Sequence, residues 1–552
     1  MKLQVKNTIT YAVLALCIIN SGCNEFLDIY NPSANTIDFY NTKEGQERLI
    51  LNLYSQYRSV FATGTLQYFG TDMYMACADD PTSAQFNGYN EDLSGLSDVI
   101  SGYWSLLYKI VQESNILLNR CTPETAGSDY EEMIAEATFF RAMAYYYLVE
   151  TFGKIPLLVE ENTDITKTIT VVTQEPESAI YDFIITELEK IKGMLPEVAT
   201  VAGKLSDTAV KHFLGKLYLT RSYRSYTVSG DLTNAIGLFE SVIASSHYKL
   251  LPRFADVFSE DNQNNEEIIW AIQYGSDKNF NGSGNAQHTL FGFNLTTLYP
   301  GMFALDQKEY SAMQRQYWVN PVVHEWFRYP EIDTRYAVTF KREFYINDIT
   351  HPDYGKLGVY LPLWNDASGN DQGAVYYYPF KNPDNSYKWY PANPAMGWST
   401  DCMPMCQKFK ETKIDWNGKG TREDIVFRIA DTYLLCAEAY LKDGQQGEAV
   451  KIVNEKILRR AVESDADYNT IKITNIGDLT LDRLLEERGC ELFGEHDRWF
   501  DLKRTGTLLT RALSNPYVVR YDNLSDKHLV RPIPYSEKIK LEGLDQNPGY
   551  NN

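Results

Sequence analysis

Two similar helix pairs, about 200 residues apart, constrain the fold of this chain more than any other feature. The first pair covers about 207–226 and 232–246, and the second covers about 425–442 and 446–461. Apolar residues recur in all four segments at the three- and four-residue spacing of one buried helix face. A pair of this kind cannot bury its apolar face alone. The sequence therefore predicts a mostly α fold in which helix pairs stack on one another.

The segment between the pairs has a different composition. Residues of about 266–420 are rich in Gly, Asn, Pro and aromatic side chains, and they show few helical periods. Within this segment, 267–274 and 358–363 have the pattern of short strands. A long irregular insertion in a helical protein is uncommon unless it is functional, so we predict that this segment carries a ligand-binding surface.

Together these segments predict a tetratricopeptide-like scaffold, because such repeats are helix pairs of about 34 residues. The C-terminal segment contains Pro534 and Pro548, so we expect it to form no regular structure and to lie pinned over the helices. The predicted parts are a helical scaffold at about 40–265 and 421–510, a loop-rich insertion with short strands at about 266–420, and a Pro-rich C-terminal segment at 511–552.

Two segments of the scaffold are interpreted as structural. A strongly periodic helix over about 133–152 ends at Gly153, and the three Tyr at 145–147 are expected to lie in the core. The charged residues of 486–504 fall at spacings that suit ion pairs with neighbouring helices, so we expect them to fix helix stacking.

Charge and composition exclude some functions and favour others. The chain has 52 Lys and Arg against 73 Asp and Glu, a formal net charge of −21. This balance argues against nucleic acid as a partner and against docking on anionic lipid through a basic face. Its 40 Tyr, 25 Phe and 9 Trp make up 13% of the chain, which suggests a protein that recognises something as well as folding.

The N-terminus has the layout of a secretory signal. Lys2 and Lys6 precede an apolar run at 11–19, which is too short to span a bilayer and ends before Ser21-Gly22-Cys23. This resembles a bacterial lipoprotein box, although Asn20 stands where Leu is usual. We predict a signal peptide at 1–22 and lipidation at Cys23, and the alternative is a buried N-terminal helix.

No catalytic signature is present. The chain has no nucleophile-elbow pentad, no P-loop and no His-Glu-x-x-His, and it contains only seven His. Carboxylate pairs for glycoside hydrolysis cannot be picked out among 73 acids, and Asp79-Asp80 reads as a solvated loop or a cation site. Cys402 and Cys406 lack a second pair for zinc, which leaves a single disulfide open, and 436 and 490 are expected to be buried free thiols.

Four segments, in this order, carry a resemblance that covers nearly the whole chain. They resemble the SusD/RagB family of outer-membrane nutrient-binding lipoproteins, whose members include starch-binding SusD-like proteins. The segments are 23–28, the helix and exit turn of 141–157, the helices of 428–504, and the C-terminal 531–534 with 546–550.

The resemblance implies a single domain over 23–552 at the cell surface of the outer membrane, with palmitate as the lipid anchor at Cys23. Family members pair with a SusC-like TonB-dependent β-barrel transporter and capture oligosaccharide, or peptide in RagB-like members, without catalysis. No cofactor is expected, and a structural Ca²⁺ is left open. Arg335 resembles a recurrent family position, which a salt bridge explains equally well.

The candidate ligand-binding residues are chosen on chemistry alone. The apolar faces of pyranose rings stack on Tyr or Trp, while their hydroxyls exchange hydrogen bonds with polar side chains. The candidates are Tyr68, Phe69, Asp72, Tyr74 and Tyr89 from an early loop, and Tyr274, Trp318, Trp326, Trp364, Tyr390 and Trp398 from the insertion.

Three functions remain open at this point. The leading hypothesis is a non-catalytic, lipid-anchored protein that binds glycan and delivers it to a transporter. The alternatives are a peptide-binding member or structural partner of the barrel, and a surface glycoside hydrolase that uses two carboxylates.

Overall fold

The computed structural model describes most of the scaffold and part of the insertion. The described residues are 37–62, 64–76, 81–162, 170–275, 284–291, 300–302, 317–381, 385, 403–412 and 420–550. Within these ranges, no helix is both long and apolar enough to cross a membrane. Several predictions concern positions outside the described residues, namely the signal peptide, Cys23, Asp79, Asp80, Tyr390, Trp398 and Cys402.

The first half of the chain forms a stack of sequential helices. The helices are α1 (Lys43–Phe61), α2 (Asp98–Arg120), α3 (Tyr130–Phe152), α4 (Glu177–Ile191), α5 (Asp207–Ser222) and α6 (Asp231–Ile243). Helix α2 packs against α1 and α3, α4 against α3 and α5, and α5 against α6. Helix α3 ends at Gly153, which adopts a φ of +72°, so the predicted stop is confirmed.

The second helix pair continues this stack. Helix α7 (Ile429–Lys442) packs directly on α6 and on α8 (Gln446–Ile452), although the whole insertion separates α6 from α7 in sequence. Helix α8 runs on as a π-helical turn, Val453–Leu458. The predicted helix-pair scaffold is confirmed, and the insertion is an excursion between two neighbouring helices of one stack.

Three predictions of helical structure need correction. Residues Asp424–Arg428, expected to open the helix, form strand β11, because they pair antiparallel with β4 (Ile268–Ile272). Residues 480–509, whose pattern predicts one helical block, form two helices, α9 (Leu481–Glu491) and α10 (Arg498–Arg504), with Asp497 at a φ of +85° before the second. The helix of 133–152 is buried on nearly all sides rather than on one face.

Short strands hold the insertion to the scaffold. The pair β4 and β11 joins the two ends of the insertion, and the strands predicted at 267–274 and 358–363 are confirmed, with observed bounds of Ile268–Ile272 and Leu357–Tyr360. The other strands are β1 (Tyr74–Ala76), β2 (Ile155–Pro156), β3 (Gln174–Glu175), β5 (Tyr317–Val319), β6 (Phe340–Lys341), β7 (Glu343–Tyr345), β8 (Leu357–Tyr360), β9 (Tyr376–Tyr377) and β10 (Met405–Cys406). Two-stranded pairs join β1 to β5, β6 to β10 and β2 to β3, and β8 lies between β7 and β9.

The C-terminal segment is pinned over the helices, as predicted, but it contains regular turns of helix. Asn547 Nδ2 donates to the carbonyl oxygens of Phe152 and Arg531 at 2.8 Å each. The expectation of no regular structure is wrong, because Pro516 begins a helix rather than blocking one. The short helices of the chain include Thr65–Tyr68, Pro81–Asn87, Pro123–Ala126, Phe254–Val257, Gln287–Leu290, Val322–Trp326, Thr334–Thr339, Asp465–Ile471, Leu508–Arg511, Pro516–Tyr521 and Tyr535–Lys538.

Two hydrophobic cores organise these elements. The larger core fills the helical stack and contains Tyr145, Tyr146 and Tyr147, which are at most 1% exposed, so their interpretation as core residues is confirmed. A smaller core lies beneath the insertion, and half-buried Trp364, Tyr376 and Tyr378 pack against it. The buried members of this second core are Met75, Met302, Trp318, Phe344, Ile346, Val359, Leu361, Phe380, Met403, Met405 and Tyr517.

Buried ion pairs tie the last helices to the stack. Arg488 on α9 lies 2.7 Å from both Asp431 of α7 and Asp501 of α10. This confirms that the charged residues of 486–504 fix helix stacking. Cys436 and Cys490 are buried free thiols, as predicted.

Candidate functional site

The early-loop candidates lie in the core, not on a surface. Tyr68, Phe69, Tyr74 and Tyr89 are at most 1% exposed. The rings of Tyr68 and Tyr74 are 4.7 Å apart, and the ring of Phe69 is 4.7 Å from that of Tyr317. The insertion strand β5 therefore closes over the loop and removes these rings from solvent. As ring faces open to a ligand, these four positions were chosen wrongly. Long-range pairing of β1 with β5 covers Tyr68, Phe69 and Tyr74, and C-terminal residues such as His528 and Arg531 cover Tyr89.

Asp72 is also a structural residue. Its carboxylate is 1% exposed and receives hydrogen bonds from Arg498 Nε at 2.8 Å, Arg498 Nη2 at 2.7 Å and Arg511 Nε at 2.7 Å. Burial alone would raise the pKa of Asp72, but the two guanidinium groups hold it below its usual range. A carboxylate with both oxygens occupied in this way is not available to a ligand.

Three insertion candidates are likewise packed inside. Trp326 is 5% exposed, and the guanidinium carbons of Arg498 and Arg511 lie 5.2 and 5.5 Å from its ring centroid. Tyr274 is 8% exposed beneath Arg58, and Trp318 is 3% exposed in the second core. Tyr274, Trp318 and Trp326 are therefore packing residues rather than open ligand contacts, because contacts with distant parts of the chain bury them.

Trp364 is the described candidate that reaches the surface. Its ring is half-buried against the second core, and its Nε1 donates a hydrogen bond of 2.8 Å to the carbonyl oxygen of Phe327. Arg335, in contrast, is buried and paired with Asp333 at 2.7 Å and Glu487 at 2.6 Å, so it acts as a salt bridge.

A different set of rings forms an outward-facing surface on the sheet β7–β8–β9. The register places Glu343, Tyr360 and Tyr377 side by side across the three strands, while Phe344, Val359 and Tyr376 occupy the next row. Successive strand residues point to opposite faces, so the second row covers the inner core and the first lies on the other face, where Tyr360 is only 8% exposed and Tyr377 is half-buried. We call Glu343, Tyr345, Tyr360 and Tyr377 the tyrosine face.

The geometry of the tyrosine face is well defined. The rings of Tyr360 and Tyr377 are stacked with centroids 6.2 Å apart and an interplanar angle of 20°. Tyr345 is 40% exposed, and its hydroxyl donates to Glu343 Oε2 at 3.0 Å. The face therefore presents ring surface and a carboxylate together.

An Asp- and Asn-rich loop borders this face. Residues 365–374 are fixed by side-chain caps, in which Asp366 Oδ1 accepts from the Ser368 amide at 2.9 Å and Asp371 Oδ1 from the Gly373 amide at 2.8 Å. Partial burial raises the pKa of Tyr377, and the nearby negative charge of Asp366 adds to this rise. The loop carboxylates are thus close enough to Tyr377 to raise the pKa of its hydroxyl.

Exposed apolar side chains concentrate around the same sheet. Tyr329, Tyr345, Ile349, Tyr354 and Val375 are between 38% and 79% exposed. Sequence reasoning missed the tyrosine face, although the run of three Tyr at 376–378 following Gly373 was a visible signal.

The arrangement suits binding of a polar ring-containing ligand. The exposed ring of Tyr345 and the half-buried ring of Tyr377 offer apolar surface, and carboxylates and amides near them accept hydrogen bonds from hydroxyl groups or donate to them. Among the described residues, no three His, Cys, Asp or Glu side chains form a group that fits a metal ion.

Comparison with known proteins places the chain in a family. A family model described as "SusD family" matches residues 266–550, just over half of the 552 residues. The chain belongs to the SusD family. A second model, described as "Starch-binding associating with outer membrane", matches residues 25–219 of this SusD-family chain.

Relatives within the SusD family are distant in sequence but cover most of the chain. The starch-binding protein SusD of Bacteroides thetaiotaomicron is 25% identical over 81% of this chain and 78% of its own length. A SusD-like protein of Bacteroides ovatus is 24% identical over 91% of this chain and 83% of its own length.

Solved structures show the same fold. A laminarin-binding SusD-like protein superposes with a TM-score of 0.66 at 20% identity, covering 92% of this chain and 100% of its own. Surface glycan-binding protein A of Bacteroides thetaiotaomicron, solved with laminarihexaose, gives a TM-score of 0.67 at 19% identity, covering 92% and 99%. The mostly helical architecture predicted from the helix pairs is therefore that of the SusD family.

Proposed function

We propose that this protein is a non-catalytic, cell-surface lipoprotein that binds oligosaccharide or polysaccharide. The observation that carries the proposal is the tyrosine face, where the exposed ring of Tyr345 and the half-buried ring of Tyr377 lie near Glu343 and an Asp- and Asn-rich loop. This combination matches the two needs of a sugar, an apolar platform for its ring face and acceptors for its hydroxyls. SusD-family relatives named for starch and laminarin binding support the same substrate class.

We further propose that the chain is anchored at Cys23 by palmitate-type acylation and delivers its ligand to a SusC-like TonB-dependent transporter in the outer membrane. The support is the signal-like segment before Cys23, the resemblance to the family, and the description of the model that matches 25–219. In the native organism, a Cys23→Ala variant should leave the membrane fraction, and a tagged wild-type chain should co-purify with a β-barrel. Recovery of the variant in the membrane fraction would contradict the anchor.

Binding is tested by affinity gel electrophoresis and calorimetry against soluble starch and laminarin. We expect Tyr377→Ala and Tyr345→Ala to lose about 1–3 kcal/mol of affinity, the value of an aromatic stacking platform. Tyr535→Ala is the matched control, because Tyr535 is 38% exposed and lies far along the chain on a C-terminal turn of helix. Equal affinity of all three variants and the wild type would remove the tyrosine face as the binding site.

The alternatives give different outcomes in the same samples. A peptide-binding member would show calorimetric heat with peptides and none with oligosaccharides. A glycoside hydrolase would release reducing ends from the polysaccharide that retards it in the gel, and such release would overturn the non-catalytic proposal.

A further inference from the structure

Three carboxylates lie on the tyrosine face or beside it. Glu343 lies on the face itself, and Asp366 and Asp371 lie on the bordering loop, from where both act on Tyr377. Their hydrogen-bond donors are neutral: a phenol hydroxyl for Glu343 and backbone amides for the two Asp. Within the described chain, none of the three forms an ion pair.

The cations around the same sheet are already engaged. Lys356 pairs with Asp353 at 2.7 Å, and Lys381 pairs with Glu325 at 2.8 Å. Each of these lysines is thus matched by a carboxylate of its own. Hydrogen bonds from Ser368 and the positive charge of Arg342 lower the pKa of Asp366, so Glu343 and Asp371 are the carboxylates left without a compensating cation among the described residues.

Two further cations lie toward the inner side. Arg342 donates to the carbonyl oxygen of Leu361 at 2.8 Å, and its guanidinium lies 5.9 Å from the ring of buried Tyr336. Lys341 lies over the ring of Phe344, which belongs to the inner row. The described outer side of the sheet therefore has a negative potential, in keeping with the net charge of −21.

We infer that the tyrosine face selects uncharged glycans and rejects those that carry carboxylate or sulfate groups. The inference rests on the proposed function and names the substrate class of the same site. A carboxylate accepts a hydrogen bond from a neutral sugar hydroxyl, but it repels an anionic group brought to the same distance. Specificity of this kind comes from repulsion of the wrong ligand rather than from extra contacts with the right one.

The magnitude is measurable. Two like unit charges about 4 Å apart in water repel by about 1 kcal/mol, which is about fivefold in affinity. Three carboxylates at somewhat larger distances give an expected loss of about tenfold for an anionic glycan at low salt. Because these charges are exposed, the loss should shrink to about twofold at about 500 mM NaCl, where screening acts over about 4 Å.

The test compares one polysaccharide in three forms, for both starch and laminarin. The native form is neutral, the carboxymethylated form adds charge and bulk, and the hydroxyethylated form adds bulk without charge. We expect the native and hydroxyethylated forms to bind alike and the carboxymethylated form to bind about tenfold more weakly at about 20 mM NaCl.

Two double variants assign the effect to the named carboxylates. Asp366→Asn with Asp371→Asn removes two charges while keeping the oxygens that cap the loop, and it should restore several-fold binding of the carboxymethylated form only. Asp443→Asn with Asp478→Asn removes two exposed charges on the helical scaffold and should restore nothing.

The outcomes separate this inference from the proposed function. Equal binding of native and carboxymethylated forms, or equal restoration by both double variants, overturns the charge selection while glycan binding stands. Tight binding of the carboxymethylated form without binding of either neutral form also overturns the charge selection while glycan binding stands. Failure of the folded wild type to bind any of the three forms overturns the proposed function and the inference with it.

Discussion

Replacing Asp72 by Asn tests whether this early-loop residue stabilises the fold rather than contacting a ligand. One oxygen of this buried carboxylate lies 2.7 Å from both Arg498 Nη2 and Arg511 Nε. The amide has the same shape but no charge, so two guanidinium groups are left facing each other without their shared anion. Removing one partner of a buried ion pair costs about 3–5 kcal/mol.

The same arginine provides a matched control. Arg511 Nη1 also pairs with Asp482 at 2.9 Å, but that carboxylate side chain is 69% exposed. An exposed pair is worth about 0–1 kcal/mol, so Asp482→Asn should be nearly silent. Both variants remove a carboxylate partner of the same Arg511 guanidinium, and they differ in burial and in the additional pair of Asp72 with Arg498.

Differential scanning calorimetry measures the difference. An unfolding entropy of about 2.1 cal/mol/K per residue over about 510 residues gives about 1 kcal/mol per degree, so Asp72→Asn should lower Tm by about 3–5 °C and Asp482→Asn by less than about 1 °C. The pKa of Asp72 lies below its ordinary value of 3.8, so its contribution is present above that pH and is lost as pH falls through the lowered pKa. The gap between wild type and variant should therefore close in acid. Equal Tm values for the two variants at neutral pH would refute the account.

Further predictions concern stability elsewhere in the chain. Burial raises the pKa of Glu136 from 4.5 to about 7, so the folded state favours the protonated form and the free energy of unfolding should fall as pH rises between these values. In Tm measurements over a series of pH values, Glu136→Gln should make that fall smaller. Gly489→Ala should destabilise by about 1–3 kcal/mol in urea unfolding, because its Cβ would lie 2.5 Å from the Trp326 ring, whereas Gly447→Ala meets open space and should not destabilise. Asn547→Ala should cost about 1–3 kcal/mol by the same method, since it leaves two buried carbonyl oxygens unpaired, and an unchanged midpoint would show that the C-terminal segment is not pinned there.

The helical scaffold was predictable because its signals are local. Apolar periodicity, the stop at Gly153 and the Gly-containing turns depend on residues a few positions apart, and the helices form where the patterns predict them. The strand at 424–428 was mistaken for helix because only its partner at 268–272 makes it a strand. That partner is more than 150 residues away in sequence.

The candidate site was harder to predict, because an aromatic side chain looks the same in a sequence whether it is buried or exposed. Tyr68 and Trp326 were chosen for their rings, yet pairing of β1 with β5 and two arginines from the C-terminal helices enclose them. Tyr360 and Tyr377 come together only because β8 and β9 lie side by side in parallel register.

The sequence alone determined the family, the stacked helix pairs and the acidic charge, since motifs, periodicity and composition are properties of the chain itself. Only the tertiary structure decided which rings face outward and which carboxylates remain unpaired. Burial and charge compensation arise from contacts between residues hundreds of positions apart, such as the pair of Asp72 with Arg498, and no local pattern records such contacts.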